Sequence, residues 1–229
     1  MRVEPLELGT RLQPYVPTWD LQRERHAAVA AGEHEDTLLL VEHEPVYTAG
    51  RRTARSDRPV DGTPVVDVDR GGRITWHGPG QLVGYPVVRL AEPVDVVLYV
   101  RALEEALIRT CADVGVSAGR VEGRSGVWLP ADEPGTSPAP RRARKVAAIG
   151  VRVARGTTMH GFALNCTASL DWYARIVPCG IDDADVTTLT AEAGRDVTIA
   201  EVAPLVVSHL QESLGPLLAA TADRATPVG

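Results

Sequence analysis

Short apolar runs with the length of β-strands dominate the first ninety residues of the chain. Five of them predict strands, at 37–43, 46–50, 65–69, 73–78 and 81–90. The segments between these runs are too short to hold crossover helices, so the strands must pair in an antiparallel or mixed sheet. Three more strands are predicted later in the chain, at 126–129, 145–153 and 159–166.

Helical periodicity predicts three helices, over residues 18–31, 95–114 and 199–214. The middle helix has the clearest pattern, and Asp95 is its predicted N-cap. Its apolar residues recur at spacings of three and four, which predicts one buried stripe. The stripe consists of Val96, Val100, Leu103, Leu107, Cys111 and Val114.

Strands and helices interleave without a linker or an internal repeat. The pattern therefore predicts a single α+β domain over residues 1–218. Residues 131–144 are rich in Pro, Gly, Ser and Arg, which predicts an exposed loop. Residues 219–229 are small and polar and predict a disordered tail.

Composition and charge remove several classes of protein. The chain has 229 residues and a formal net charge of −6, which argues against a nucleic-acid-binding protein. No apolar stretch is long enough to span a membrane, and the N-terminus lacks the apolar segment of a signal peptide, so we expect a cytoplasmic protein. Three cysteines without a C-x-x-C spacing and six histidines without a ligand spacing predict neither a disulfide framework nor a bound metal.

The densest group of glycine and polar residues lies between residues 70 and 86. Its glycines have the spacing of neither a phosphate loop nor a dinucleotide-binding fingerprint. Because glycine lets a ligand approach the main chain closely, the segment favours a ligand-binding wall. The alternative is a pair of turns around a strand, with His77 buried in the core and its ring nitrogens hydrogen-bonded there. The polar residues of the segment are Arg70, Arg73, Thr75, His77 and Gln81.

The three cysteines differ in their surroundings. Cys111 lies on the predicted helix stripe and Cys166 ends a run on one strand face, so both are predicted to be core residues. Cys179 lies between Pro178 and Gly180, where a turn can present its thiol to an acyl group. The alternative for Cys179 is a buried turn cysteine.

A nucleophilic cysteine needs a base or a cation to form its thiolate, and the candidates are Lys145, His77, His160 and His43. Lys145 is the single lysine among 24 basic residues. Coding bias explains most of this imbalance, but a guanidinium cannot exchange a proton and an ammonium can. The alternative for Lys145 is one more solvated cation in an arginine-rich run.

Four segments, 37–52, 70–86, 145–165 and 176–181, resemble the lipoyl(octanoyl) transferases of lipoate biosynthesis. The resemblance implies the fold of biotin- and lipoate-protein ligase catalytic domains, a mixed, largely antiparallel sheet flanked by helices. It implies a transfer of an octanoyl group from octanoyl-acyl carrier protein to a lysine of a lipoyl domain, without a cofactor. The implied acceptors are the lipoyl domains of 2-oxoacid dehydrogenase complexes and the glycine cleavage H protein.

The resemblance also implies roles for individual residues. By motif position, Cys179 carries the acyl thioester and Lys145 completes a catalytic pair. The implied substrate-binding residues are Arg70, Gly71, Gly72, Arg73, Ile74, Thr75, Trp76, His77, Ala148, Ile149, Gly150, Gly161, Phe162 and Ala163. Tyr15, His43 and Tyr85 match positions that line or order the pocket, and the excess of arginine predicts a docking patch for acidic partners.

Three alternatives to an octanoyltransferase remain at this point. The first is an ATP-dependent lipoate- or biotin-type protein ligase, which has no need of Cys179. The second is a thiol-dependent thioester hydrolase, which would release the acyl group to water. The third is a protein that binds lipoyl domains without catalysis.

Overall fold

The computed structural model describes residues 1–133, 135, 139–176 and 184–220. Its strands are β1 (Arg2–Pro5), β2 (Thr37–Val41), β3 (Val46–Ala49), β4 (Val65–Asp67), β5 (Ile74–His77), β6 (Gln81–Val87), β7 (Gly119–Val121), β8 (Arg124–Leu129), β9 (Arg144–Ala154), β10 (Thr157–Asn165) and β11 (Asp185–Val186). Its α-helices are α1 (Tyr15–Ala30), α2 (Val96–Asp113), α3 (Leu189–Ala193) and α4 (Ile199–Leu214).

Within the described ranges, eight strands form one sheet with the order β1-β2-β6-β10-β9-β8-β7 and with β11 beside β9. Along the part of this order that runs β2-β6-β10-β9-β8-β7, every strand is antiparallel to its neighbours. Strand β1 is parallel to β2, and β11 is parallel to β9. A smaller sheet has the order β4-β3-β5. The predicted mixed, largely antiparallel α+β fold is confirmed.

The large sheet is covered on both faces, which is why the apolar run of β2 is buried along its whole length. Helices α2 and α4 cover one face with a core that includes Leu103, Leu107 and Leu210. A second cluster, with Leu39, Val41, Val83, Tyr85 and Ala163, lies on the other face with Leu21 of α1 packed against it. The small sheet has its own cluster around Tyr47, Ile74 and Trp76. No helix in the described part of the chain is both long and apolar enough to cross a membrane.

The predicted N-cap of α2 is confirmed, because the Asp95 carboxylate accepts a hydrogen bond of 2.8 Å from the amide of Leu98. The buried stripe is confirmed at Leu103, Leu107, Cys111 and Val114. Val100 is only half-buried, and the prediction for Val96 is wrong. Val96 lies in the first turn, which neighbouring elements leave uncovered, and its exposed fraction is 42%.

The predicted loop at 131–144 is also too long. Arg144 is the first residue of β9 and is buried, because Glu192 of α3 accepts hydrogen bonds of 2.6 and 2.7 Å from its guanidinium. Residues 134 and 136–138 of this loop lie outside the described residues.

At the C-terminal end, Ala219 is buried and its amide donates to the carbonyl of Arg89. Most of the predicted tail, residues 221–229, lies outside the described residues.

Candidate functional site

A cavity of about 480 Å³ lies between the large sheet and the small sheet, closed on one side by the start of α1. Its volume is typical of sites for small molecules, which span about 300–1,000 Å³. The residues that line it are Tyr15, Arg52, Arg70, Gly72, Arg73, Thr75, His77, Tyr85, Gly123, Arg124, Ser125, Lys145, Ala148, Ile149, Gly150, His160, Gly161, Phe162 and Ala163.

Lys145 stands in the wall of this cavity rather than in solvent, with an exposed fraction of 8%. It lies opposite Trp128 in the pairing of β8 with β9, and its Nζ is 4.6 Å from the centroid of the Trp128 ring. An ammonium in this position is attracted by the face of the aromatic ring. The interpretation of Lys145 as one more solvated cation is therefore wrong.

A glycine supports the other side of this lysine. Gly126 of β8 has φ +110°, and a Cβ there would lie 2.5 Å from the carbonyl oxygen of Ala147 and 3.4 Å from Cε of Lys145. Glycine is therefore required for its conformation and for its close approach to β9 and the lysine stem.

Cys179 lies outside the described residues, together with the rest of 177–183. The chain on either side of this segment is described. Before it, Ile176 packs in the cluster of the small sheet. After it, Val186 of β11 pairs with Lys145 of β9, and the amide of Thr187 donates to the Lys145 carbonyl at 2.9 Å.

Small residues of β9 and β10 form the floor of the cavity. At Gly161 a Cβ would lie 2.2 Å from the carbonyl oxygen of Gly84 and 2.7 Å from the ring of Pro86. At Gly150 a Cβ would lie 3.0 Å from the Arg70 side chain. Any larger residue at Gly161 would push β10 away from β6, so the shape of the floor depends on these two glycines.

Three aromatic rings cluster at the start of α1. The rings of Tyr15 and His77 are nearly parallel with centroids 6.0 Å apart, and His43 lies 5.2 Å from Tyr15. His43 does not itself line the cavity but accepts a hydrogen bond of 2.8 Å from the hydroxyl of Tyr85, which does. His43 Nδ1 donates to the carbonyl of Gln13, which fixes the neutral tautomer.

Burial keeps these groups uncharged. Desolvation lowers the pKa of His43 to about 4 and that of His77 to about 3. It raises the pKa of Tyr15 to about 12 and that of Tyr85 well above its usual value. His77 donates to Gln81 Oε1 at 2.7 Å, and Gln81 in turn donates to Asn165 at 2.8 Å.

Arg70 stabilises the glycine-rich turn between β4 and β5. Its guanidinium is buried and donates to the carbonyl oxygens of Gly71, Arg73 and Thr48 at 2.8–3.0 Å. Arginine offers several donors in a rigid plane, so one side chain satisfies carbonyl groups from both sides of the turn. Arg70 therefore shapes the cavity wall as well as lining it.

Strand alternation separates the predicted residues of β5. Thr75 and His77 line the cavity, whereas Ile74 and Trp76 point to the core of the small sheet. Gly71 is likewise not part of the lining. The predicted ligand-binding wall is therefore formed by alternate residues of its strand.

Five lining residues were absent from the predicted substrate-binding set: Arg52, Gly123, Arg124, Ser125 and His160. The alternation of β10 predicts His160 on the core face with Phe162. Its φ of +60° breaks the alternation, and the amide of His160 donates to Gln22 of α1 at 3.2 Å. His160 Nε2 donates to Asp69 at 2.7 Å, and desolvation lowers the His160 pKa to about 4.

The site combines one buried amine, a floor of small residues and a cluster of neutral polar groups. Within the described residues, no three side chains of His, Cys, Asp or Glu are grouped so that they could hold a metal ion. A buried amine in a cavity wall can exchange protons with a bound substrate or with a thiol brought beside it.

Comparisons with known proteins show the family of the chain. The family model described as the lipoyl protein ligase A/B catalytic domain matches residues 14–211. An octanoyltransferase from Acidothermus cellulolyticus is 63% identical over 204 residues, which are 89% of this chain and 89% of that protein. One from Salinispora tropica is 61% identical over 202 residues, 88% of this chain and 92% of that protein.

A solved structure is similar in fold. It is a putative lipoate protein ligase from T. acidophilum with bound lipoic acid, with a TM-score of 0.62 at 17% identity. The likeness covers 93% of this chain and 86% of that chain.

Proposed function

Since the chain belongs to the lipoyl protein ligase A/B catalytic-domain family and to its octanoyltransferases, we propose that it transfers an octanoyl group from octanoyl-acyl carrier protein to a lysine of lipoyl domains. The acyl group passes through a thioester on Cys179. The acceptors are lipoyl domains of 2-oxoacid dehydrogenase complexes and the glycine cleavage H protein.

The observation that carries the proposal is the position of Lys145. The single lysine of the chain lies buried in the cavity wall, with its amine over Trp128. Acyl transfer between a thioester and an amine needs a group that accepts and returns protons, which an arginine cannot do.

The course of the chain supports Cys179 as the nucleophile. In the sequence, Cys179 follows Ile176 by three positions and precedes Asp185 by six, and Asp185 pairs with Arg144 next to Lys145. The described chain after residues 177–183 therefore begins beside the strand that carries Lys145. Cys111 and Cys166 are buried, and desolvation raises the pKa of each thiol to about 12, which leaves little thiolate.

In the first half of the reaction, Lys145 accepts the thiol proton of Cys179, and the thiolate attacks the carbonyl carbon of the octanoyl thioester. The new carbon–sulfur bond replaces the bond to the carrier, whose thiolate leaves and takes the proton back from Lys145. One thioester replaces another, so the step requires no ATP.

In the second half, the amine of the acceptor lysine attacks the carbonyl carbon of octanoyl-Cys179. A carbon–nitrogen bond forms and the bond to the Cys179 sulfur breaks. Lys145 accepts the proton that the attacking amine loses and returns it to the Cys179 thiolate. The enzyme is then ready for another carrier.

The floor of the cavity supports an acyl substrate. Ala148, Gly150, Gly161 and Ala163 present no large side chain to the cavity, and Ile149 and Phe162 add apolar surface. An octanoyl chain that lies along β9 and β10 leaves water and gains contacts with these residues.

The predicted arginine patch has a candidate position at the mouth of the cavity. Arg51, Arg52 and Arg55 follow β3 and are exposed, and none of them pairs with an acidic side chain of the described residues. Arg52 also lines the cavity. These three guanidinium groups favour the docking of an acidic carrier protein next to the site of its acyl group.

Intact mass spectrometry after mixing with octanoyl-acyl carrier protein tests the proposed function. We expect one octanoyl adduct that hydroxylamine removes and that Cys179→Ala abolishes. Cys111→Ala and Cys166→Ala are matched controls and should retain it. An adduct on Cys111 or Cys166 would refute the assignment of the nucleophile.

The alternatives give different products. A ligase modifies the lipoyl domain only when free octanoate and ATP are supplied. A hydrolase releases octanoate whether or not a lipoyl domain is present. A binder that does no chemistry keeps its full function in Cys179→Ser. Any of these results would overturn the proposal.

A further inference from the structure

A fully buried carboxylate on α2 lies behind the wall of the cavity. Glu104 accepts hydrogen bonds from three donors through its two carboxylate oxygens. Arg101 Nη1 and Arg120 Nε donate to Oε2 at 2.6 and 3.1 Å, and the amide of Gly126 donates to Oε1 at 3.0 Å. Two guanidinium groups therefore compensate the buried charge.

Two of these donors belong to the hairpin formed by β7 and β8. Arg120 is on β7 and Gly126 is on β8, so one side chain of α2 holds both strands. The turn between the strands contributes Gly123 to the cavity lining, and the start of β8 contributes Arg124 and Ser125. Glu104 therefore connects a helix on the core side of the sheet with one wall of the cavity.

The same hairpin holds Lys145. Gly126 supports the lysine stem, and Trp128, two residues further along β8, lies beneath the amine. Gly126 takes up its positive φ at the point where its amide donates to Glu104. A shift of this peptide would move the atoms that surround the lysine.

We propose that Glu104 is a positioning residue for Lys145. By accepting the amide of Gly126 and the guanidinium of Arg120, it holds the β7–β8 hairpin against α2. It thereby sets the position of the Lys145 amine in the cavity. The expected effect of Glu104 on turnover rests on the proposed function, whereas its effect on the position of Lys145 does not.

Selective ¹³C labelling of lysine tests the proposal directly, because the chain contains one lysine and gives one set of lysine signals. Because the Lys145 amine lies 4.6 Å from the centroid of the Trp128 ring, we expect the ring to shift the Hε signals of Lys145 away from those of free lysine. In Glu104→Ala we expect these signals to move towards the free-lysine position. We also expect kcat for octanoyl transfer to fall about 10- to 100-fold, because a small displacement of a catalytic group has effects of this size.

Glu104→Gln keeps one oxygen that can accept from Gly126, so it should restore part of the lysine shift and part of the turnover. KM for octanoyl-acyl carrier protein should change less than about threefold in both variants, since Glu104 does not line the cavity. Thr110→Val is the matched control. It removes another buried polar group of α2, whose hydroxyl donates to Ala106 of the same helix, and it should leave the lysine signals unchanged.

Unchanged lysine signals in a folded Glu104→Ala would overturn the proposal, even if turnover fell. If that variant does not fold, Glu104→Gln and Arg120→Ala replace it. Lysine signals at the positions of the unmodified protein in both of these variants would overturn the proposal equally. If the unmodified protein transfers no octanoyl group, the proposed function fails, but the lysine shift still decides whether Glu104 positions Lys145.

Discussion

Acidification should destabilise this fold strongly, because three buried imidazoles of the cavity region stay neutral in the folded protein. Desolvation lowers the pKa of His43 to about 4, that of His77 to about 3 and that of His160 to about 4. In the unfolded chain each imidazole has a pKa of about 6.5. Between about pH 6.5 and pH 4 the unfolded state therefore binds more protons than the folded state, and stability falls as the pH falls.

The size of the effect follows from these pKa values. At pH 5 each imidazole is almost fully protonated in the unfolded chain and mostly neutral in the fold. Each of the three then contributes a slope of about 1.2 kcal/mol per pH unit, or about 3.5 kcal/mol together. Between pH 7 and pH 5 the free energy of unfolding should fall by about 5 kcal/mol, which is comparable with the whole stability of many domains.

Urea unfolding followed by tryptophan fluorescence at pH 7, 6 and 5 measures this slope. His77→Gln should reduce the slope by about one third, because one of three titrating groups is gone. Leu164→Ala is the control, since it removes a buried core side chain without an imidazole and should lower stability at every pH with the slope unchanged. A slope below about 1 kcal/mol per pH unit in the unmodified protein would refute the linkage to buried neutral imidazoles.

The remaining predictions concern the amine, the floor and the mouth of the cavity. Lys145→Arg should lower transfer more than about 100-fold in a fold of normal thermal stability, because a guanidinium cannot exchange the proton; near-normal turnover would contradict this role. Gly161→Ala should cost about 1–3 kcal/mol in thermal unfolding, because its Cβ would lie 2.2 Å from the carbonyl of Gly84. Gly119→Ala should cost much less, since a Cβ there meets no atom within 4 Å, and equal losses would show that crowding is not the cause. Arg52→Glu should raise KM for octanoyl-acyl carrier protein and leave KM for a small octanoyl thioester unchanged; equal effects on both would exclude a docking role.

Local patterns were sufficient to predict much of the fold. The bounds of α4 are those predicted, because Thr198 caps its first turn and its apolar stripe has helical spacing throughout. The pairing of the strands is mainly antiparallel, as the short connections require. Strands β1, β7 and β11 were missed because they have two to four residues and contain charged side chains, so they carry no alternation of their own.

The cavity was only partly predictable because its walls come from distant parts of the chain. Residues on motif strands, such as Thr75 and Gly150, were predicted to bind substrate and do line the cavity. Arg124 and Ser125 line it through the pairing of β8 with β9, which no local pattern shows. His160 was predicted on the core face, and only its positive φ brings it into the lining.

The orientation of Lys145 shows most clearly why tertiary structure was needed. Val127 pairs with Ala147 and both belong to the core beneath α2 and α4, so strict alternation along β9 would point Lys145 into that core. The register shifts here, because consecutive residues of β8 lie opposite Ala147 and Lys145. Val146 is the extra residue of this bulge and joins Ala147 in the core. The bulge therefore turns Lys145 to the opposite face of the sheet, over Trp128 and into the cavity, where an amine can act on a substrate.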